Sequence, residues 1–219
     1  DDADVCDGYN DLDDQDTDNI PDECDTCPLD PNNDIDGDGL CCGSSYYLNF
    51  DGEDDYATLS NDYGNFDFSN NFSVKFSYKF DSVPSNLTVG MLAKATVNDA
   101  NQNANGWYLG YSSNGEMLVN IWDDHSGAPS IYLYADPSYA LDLNWHDIEL
   151  VYDRQGNEVN VTFKIDNTLV DSYSGTVSPS FSLTTGTPLI VGSDRGLVGF
   201  MDGKISNIEI VNSNDLVVA

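Results

Sequence analysis

Residues 72–80 read FSVKFSYKF, an unbroken alternation of apolar and polar side chains. Because successive side chains of a β-strand point to opposite faces, this alternation predicts a strand with one buried face. Residues 159–166 (VNVTFKID) repeat the pattern, and residues 148–152 (IELVY) follow it more loosely. Such strands bury their apolar faces by packing against a second layer, so they favour a sheet-on-sheet architecture.

Turn signals separate the strands, and no segment has a convincing helical periodicity. Asn-Gly pairs at 105–106 and 114–115, together with residues 155–157 (QGN), are typical of tight turns between antiparallel strands. Repeated strands and turns across residues 44–219 predict an all-β fold, an antiparallel sandwich of two sheets.

The chain is strongly acidic. Its 219 residues include 39 acidic and 7 basic ones, which gives a formal net charge of -32. This balance argues against nucleic acid and anionic membrane surfaces as partners, because both are bound through Lys and Arg. It favours cations as ligands. No apolar run is long enough to cross a membrane, so we expect no membrane insertion.

The acidic residues concentrate at the start of the chain. Up to Asp38 nearly every second residue is Asp, and all the cysteines lie in or directly after this stretch: Cys6, Cys24, Cys27, Cys41 and Cys42. From Ser44 onward the sequence is rich in Asn, Ser and Tyr with strand patterning. The shift predicts a domain of residues 1–43 followed by a β-sandwich of residues 44–219.

Alternating carboxylates in the sequence DQDTDNIPD, which begins at Asp14, predict a calcium-binding loop. Ca²⁺ takes roughly six to eight oxygen ligands, and a short loop with carboxylates at every second position supplies several of them. The side-chain ligands would be Asp14, Asp16 and Asp18. Ile20 would add its backbone carbonyl, and Asp22 would close the shell directly or through water.

A second loop of the same kind begins at Asp34 (DIDGDGL). Asp34, Asp36 and Asp38 are its predicted side-chain ligands. Gly39 permits a tight turn and Leu40 offers a carbonyl. The competing interpretation is a solvated acidic linker. Because the same strict alternation occurs twice, calcium is the favoured cofactor.

The clustered cysteines predict a disulfide framework in an oxidising compartment. Zinc is the alternative, because Cys24 and Cys27 form a C-x-x-C pair with Cys41 and Cys42 further along. The surrounding carboxylates are hard ligands that suit calcium, so disulfides are favoured over zinc.

The acidic segment resembles thrombospondin type 3 repeats. Residues 6–24 run from a Cys through an Asn-containing loop and alternating Asp to Ile, Asp and Cys, and residues 27–41 form a shortened version. The resemblance implies a small irregular segment stabilised by calcium and disulfides, with little core. The implied disulfides, which leave one thiol over, join Cys6 to Cys24 and Cys27 to Cys41 or Cys42.

Three stretches of the second domain resemble laminin G-like, or concanavalin-like, jelly-roll domains. They are the entry strand at residues 47–57, the segment NWHDIELVYD at 144–153 and the closing strand at 200–210. The resemblance implies a jelly-roll sandwich that serves as a binding or adhesion module for glycans or proteins. It also allows the domain a calcium ion of its own, for which Asp51 and Asp202 are candidates.

Some concanavalin-like folds are glycoside hydrolases, which need two carboxylates facing one cleft. The Glu-x-Asp-x-(x)-Glu strand of such enzymes is absent, and Glu149 and Glu158 have no obvious acidic partner on the same strand face. The two histidines, His125 and His146, lie in no recognisable catalytic motif. We therefore expect a protein that is not an enzyme.

Two aromatic strands predict a ligand-binding face. In residues 117–122 (MLVNIW) and 131–134 (IYLY), alternation places most of the aliphatic side chains on one face. Flat aromatic rings beside amides suit a sugar, although aromatic side chains also fill cores. Trp107 and Tyr111 are assigned to the core. The predicted ligand-binding residues, on the opposite face, are Asn120, Trp122, Tyr132 and Tyr134.

Together these features predict a secreted or cell-surface calcium-binding protein for adhesion or recognition, with a jelly-roll head on a calcium-stiffened spacer. Its partner would be an extracellular glycan or protein. Two alternatives remain open. One is a structural subunit of an extracellular filament or surface layer, which would self-associate. The other is an accessory domain of a polysaccharide-degrading enzyme.

Overall fold

The computed structural model describes residues 47–59, 71–83, 88–96, 105–112, 114–123, 130–183, 185–194, 199–212 and 217–218. The predicted calcium ligands of the acidic segment and all the cysteines lie outside these residues. The calcium loops, the disulfides and the boundary between residues 43 and 44 therefore stay predictions. The strands belong to the compact unit Tyr47–Ala219.

The first sheet has seven strands. Every neighbouring pair in it is antiparallel. In spatial order the strands are β1 (Tyr47–Asp51), β12 (Asp202–Asn212), β3 (Phe72–Phe80), β8 (His146–Gln155), β9 (Glu158–Ile165) and β10 (Thr168–Thr176), with β13 (Val217–Val218) paired to β12.

The second sheet has six strands and is also antiparallel throughout. In spatial order they are β2 (Ala57–Leu59), β11 (Leu189–Val191), β4 (Val89–Ala95), β5 (Asn105–Tyr111), β6 (Met117–Asp123) and β7 (Ile131–Ala135). Two antiparallel sheets packed face to face confirm the all-β sandwich that the strand patterning predicts.

The main core lies between the sheets and is filled by the alternate side chains that the sequence pattern selects. Burying a large apolar side chain is worth roughly 1.5–3 kcal/mol relative to leaving it exposed, so one such strand contributes substantially to stability. Trp107 and Tyr111 are buried in the same core, which confirms their assignment. The side chains that β3 directs inward, all of them buried, are Phe72, Val74, Phe76, Tyr78 and Phe80.

One short helix departs from the expected strand-only pattern. α1 (Ser138–Leu141) connects β7 to β8, and its four residues are too few to show a helical periodicity in sequence. The hydroxyl of Tyr78 donates a hydrogen bond of 2.8 Å to the carbonyl oxygen of Tyr139, which fixes α1 to the first sheet. Within the described ranges, no helix combines the length and apolar character needed to cross a bilayer.

A hydrogen bond joins β7 and β10, which are edge strands of the two sheets. The backbone N–H of Tyr134, in β7, donates to a carboxylate oxygen of Asp171, in β10, at 2.9 Å. The β9–β10 register shifts between Leu169 and Asp171, which marks a bulge at this point of the edge. The bond therefore positions the strand that carries Tyr132 and Tyr134.

Candidate functional site

Strand register brings the four predicted ligand-binding residues onto the outer face of the second sheet. Asn120 in β6 lies opposite Tyr132 in β7 and, on its other side, opposite Tyr108 in β5. Tyr134 pairs with Leu118, and Trp122 pairs with Gly106. We call Tyr108, Asn120, Trp122, Tyr132 and Tyr134 the aromatic face.

The two tyrosines of β7 are open to solvent. Tyr132 is 47% exposed and Tyr134 45%, while the residues between and beside them, Ile131, Leu133 and Ala135, are buried in the main core. Asn120 is half-buried between these tyrosines and the centre of the sheet. The face therefore presents two accessible rings with an amide at their side.

Trp122 occupies a different position from these tyrosines. It is only 8% exposed and packs in a small cluster outside the main core, with Tyr108 among its neighbours. The ring centroids of Tyr108 and Trp122 are 6.3 Å apart, at an interplanar angle of 42°. Trp122 thus lies on the predicted face, but mainly as support for it.

Tyr108 is a member of the face that alternation in β6 and β7 alone does not reveal. Its hydroxyl donates a hydrogen bond of 2.8 Å to the carbonyl oxygen of Val89 in β4. A Cβ added at Gly110 would lie 2.3 Å from the Tyr108 hydroxyl oxygen, so the ring lies along the strand over this glycine. The sequence signal is the alternation Gly106, Tyr108, Gly110, in which glycines make room for one flat ring.

The chemistry of this face is stacking combined with neutral hydrogen bonding. Exposed tyrosine rings offer apolar surface with a polar hydroxyl at the rim, and they lose little conformational freedom on binding. Asn120 supplies both a carbonyl acceptor and amide donors. A sugar ring has apolar C–H faces and hydroxyls at its edge, so both kinds of group find partners here.

A group of carboxylates at the end of β1 could hold a divalent cation. Asp51, Asp54 and Asp55 are exposed, and one carboxylate oxygen from each lies within 4.8 Å of the others. Asp202 lies opposite Asp51 in the β1–β12 register, and its carboxylate accepts a hydrogen bond from the hydroxyl of Ser82. Hard carboxylate oxygens are calcium-type ligands, so a calcium ion near Asp51 and Asp202 stays a prediction.

His146 is held between two carboxylates. Its Nδ1 lies 2.7 Å from an oxygen of Asp166 and its Nε2 lies 2.9 Å from one of Asp142. Burial lowers the pKa of the imidazole, but the hydrogen bonds and charges of the two aspartates outweigh it, so the net pKa is raised. This arrangement joins α1 to the β9–β10 turn and gives His146 a structural role; His125 lies outside the described residues.

Glu149 is also engaged in structural contacts. Its carboxylate oxygens lie 2.6 Å from the Lys164 ammonium and 3.5 Å from that of Lys75. The hydrogen bond from Lys164 is the largest cause of the lowered pKa of Glu149. All three residues lie on the outer face of the first sheet, on the opposite side of the sandwich from the aromatic face.

Comparison with known proteins gives both a family and a fold. Residues 51–214 match the Laminin G 3 family, described as the concanavalin A-like lectin/glucanases superfamily. Among curated proteins, none matches this chain.

Several solved structures of similar fold come from sialidases, and another is of botulinum neurotoxin type C. The CBM40 module of the Ruminococcus gnavus IT-sialidase superimposes with a TM-score of 0.52 at 13% identity, covering 79% of this chain and 97% of that one. The same module bound to α2,3-sialyllactose gives a TM-score of 0.51 at 13% identity over 76% of this chain and 92% of that one. A mutant of NanB sialidase from Streptococcus pneumoniae gives 0.58 at 14% identity over 80% of this chain and 27% of that one. At these identities the likeness establishes the fold alone.

Proposed function

The chain belongs to the concanavalin A-like lectin/glucanases superfamily, and on that basis we propose that its β-sandwich is a glycan-binding module. The observation that carries the proposal is the pair of exposed tyrosines, Tyr132 and Tyr134, beside the amide of Asn120. Large exposed aromatic side chains on a single sheet face are what a binding surface needs, since such residues dominate the energetics of recognition.

The similar structures support a glycan as the ligand class. The Ruminococcus gnavus structure, which this chain resembles over 97% of that chain's length, is a CBM40 module and has been solved with sialyllactose. We propose a non-catalytic role, because the outward side chains of β4–β7 offer stacking and amide groups where a hydrolase would need a carboxylate pair.

The experiment is a glycan array probed with the wild-type chain and a Tyr132→Ala/Tyr134→Ala double variant. We expect the variant to bind at least about 10-fold more weakly, because losing two stacking rings removes more than about 1.4 kcal/mol of binding free energy. Tyr47→Ala is the matched control, since Tyr47 is 50% exposed but belongs to the first sheet. Loss of binding in the control, or no binding by the wild-type chain, would count against the proposal.

We further propose that the chain acts outside the cell and binds calcium through its acidic segment. The alternating Asp residues of that segment and its clustered cysteines support this, because both features suit an extracellular, oxidising environment rich in calcium. The sandwich would then recognise glycans at the end of a calcium-stabilised spacer.

A further inference from the structure

We infer that the glycan bound by the aromatic face is neutral, in contrast to the sialylated ligand of the Ruminococcus gnavus module. The inference rests on the proposed function and adds the charge class of the ligand. It follows from the side chains of the face and from where the neighbouring strands place their charges.

The outward positions of the described strands β4 to β7 are occupied by uncharged side chains. Besides glycine, they are alanine, leucine, asparagine, tyrosine and tryptophan. The only charged residues of these four described strands, Lys94 and Asp123, are 8% and 3% exposed and belong to the opposite face.

Each of these two inward charged side chains forms a hydrogen bond with a backbone group at the end of the sandwich. The ammonium of Lys94 donates to the carbonyl oxygen of Thr187. The carboxylate of Asp123 accepts the backbone N–H of Ser182 at 2.8 Å. Neither is directed toward the aromatic face. The carboxylate of Asp171, which borders the face, accepts the Tyr134 N–H, so the described strands β4 to β7 place no cation on this surface.

A carboxylate-bearing sugar loses hydrogen bonds to water when it binds, and such a surface offers few groups that could replace them. Burying an ionised carboxylate without a cation or several donors is costly, whereas Arg and Lys offset this cost through charge-assisted hydrogen bonds. The net charge of -32 also repels anions at long range, although salt screens this term. A neutral hexose avoids both costs and keeps the stacking on Tyr132 and Tyr134.

The test compares neutral glycans with anionic counterparts on one array. One set pairs lactose-type chains with their α2,3- and α2,6-sialylated forms, and the other pairs neutral polysaccharide fragments with their uronate or sulfated counterparts. We expect the neutral member of each pair to bind at least about 10-fold better, with little change between 0.05 and 0.5 M salt. A preference for the sialylated, uronate or sulfated member overturns this inference but leaves glycan binding intact. An array on which no glycan binds overturns the proposed function, and this inference with it.

A variant that introduces a positive charge makes the test specific to the face. Asn120→Arg places a cation between the rings and should shift the anionic-to-neutral binding ratio upward by roughly 10-fold. Tyr47→Arg, on the first sheet, should leave the ratio unchanged. If Asn120→Arg fails to fold, as judged by circular dichroism, Tyr134→Arg at a more exposed position serves in its place. A folded variant whose ratio does not move contradicts the inference.

Discussion

At the residue scale, Gly110 determines the shape of the aromatic face. The ring of Tyr108 lies where a Cβ at position 110 would stand, and its hydroxyl reaches the Val89 carbonyl oxygen in the next strand. A side chain at 110 would therefore meet both the ring and the backbone of β4. The position of the Tyr108 ring thus depends on a residue without a side chain.

Gly110→Ala should destabilise the sandwich and weaken glycan binding together. The added methyl would lie 2.3 Å from the carbonyl oxygen of Val89, and forced contacts of this kind cost roughly 1–3 kcal/mol. Thermal unfolding and glycan titration measure the two effects. Gly186→Ala is the control, because a Cβ there meets nothing within 4 Å; equal melting temperatures for the two variants would contradict the account.

His146 gives the sandwich a pH-dependent contribution to stability. Its raised pKa means that the native state holds the proton more tightly than the unfolded chain does. This stabilisation is fully present below the unfolded pKa of about 6.5 and is lost as pH rises through the folded pKa. Besides Asp142 and Asp166, the groups facing the imidazole are Tyr78 and Tyr139, whose rings pack against it.

We therefore expect His146→Gln to lower the free energy of unfolding by roughly 1–3 kcal/mol near pH 5.5 and by less near pH 9. Urea denaturation across this pH range measures the difference. Thr168→Gln provides the control, since it replaces an exposed residue of β10 that carries no titratable group and should keep the wild-type pH dependence. A His146→Gln penalty that grows with pH would refute the assignment.

Alternation along a single strand reveals which side chains face outward, but not which of them are covered by neighbours. The exposure of Tyr132 and Tyr134 could be predicted from the sequence, because both alternate with apolar residues that are buried. Both also lie on an edge strand, where outward side chains have a neighbouring strand on one side only. Trp122 obeys the same alternation but is covered, since its burial depends on packing with Tyr108 across the sheet. Pairing between strands is a tertiary property that sequence spacing does not contain.

At the element scale, β7 depends on β10 for its position. β7 forms one edge of the second sheet and β10 one edge of the first, so their ladders do not pair. The carboxylate of Asp171 joins them by accepting the Tyr134 N–H. This contact follows from a bulge in β10, a feature that strand periodicity alone does not predict.

Asp171→Ala should loosen β7 selectively. Without its acceptor, the Tyr134 amide is expected to exchange with solvent roughly 10-fold faster, which corresponds to about 1.4 kcal/mol of local protection. Hydrogen exchange followed by mass spectrometry measures the exchange rate in the peptide that contains Tyr134. Asp153→Ala, on the outer face of β8, removes a carboxylate from another strand and should leave this amide unchanged. Equal exchange in both variants would show that β7 is held by other contacts.

Elements with long alternation were the most predictable part of the fold. β3 and β9 were identified because each alternates over eight or more residues. β4 is buried along its whole length and β5 nearly so, so neither alternates between apolar and polar side chains. α1 spans about one turn, which is too short to show a helical period. Because these strands are buried on both faces, the sequence pattern does not identify the centre of the second sheet, where Tyr108 lies.

At the scale of the whole molecule, the proposed calcium binding implies that the acidic segment is stabilised by ions and the sandwich by its apolar core. The sandwich buries its own apolar faces, so residues 44–219 should fold without calcium. In residues 1–42, removing calcium would leave carboxylates close together, at a cost of about 1 kcal/mol for each pair at 4 Å in water. Segments this polar have little core to offset that repulsion.

EDTA should therefore loosen the acidic segment selectively. We expect protease to cut between Asp7 and Pro31 when calcium is removed, while the sandwich stays resistant and keeps its β-sheet circular dichroism. Limited proteolysis with mass spectrometry, with and without calcium, provides the measurement. Digestion of the sandwich first, or a single melting transition for both parts, would contradict separate stabilisation.

The proposed glycan-binding surface is the aromatic face. Nuclear magnetic resonance of the labelled chain, titrated with an oligosaccharide selected on the array, locates the bound ligand. We predict that the largest chemical-shift changes occur at Asn120, Tyr132 and Tyr134. None are expected at Tyr47 or Trp145, two exposed aromatic residues in β1 and directly before β8 of the first sheet. Changes centred on Tyr47 and Trp145, with Tyr132 and Tyr134 unaffected, would contradict it.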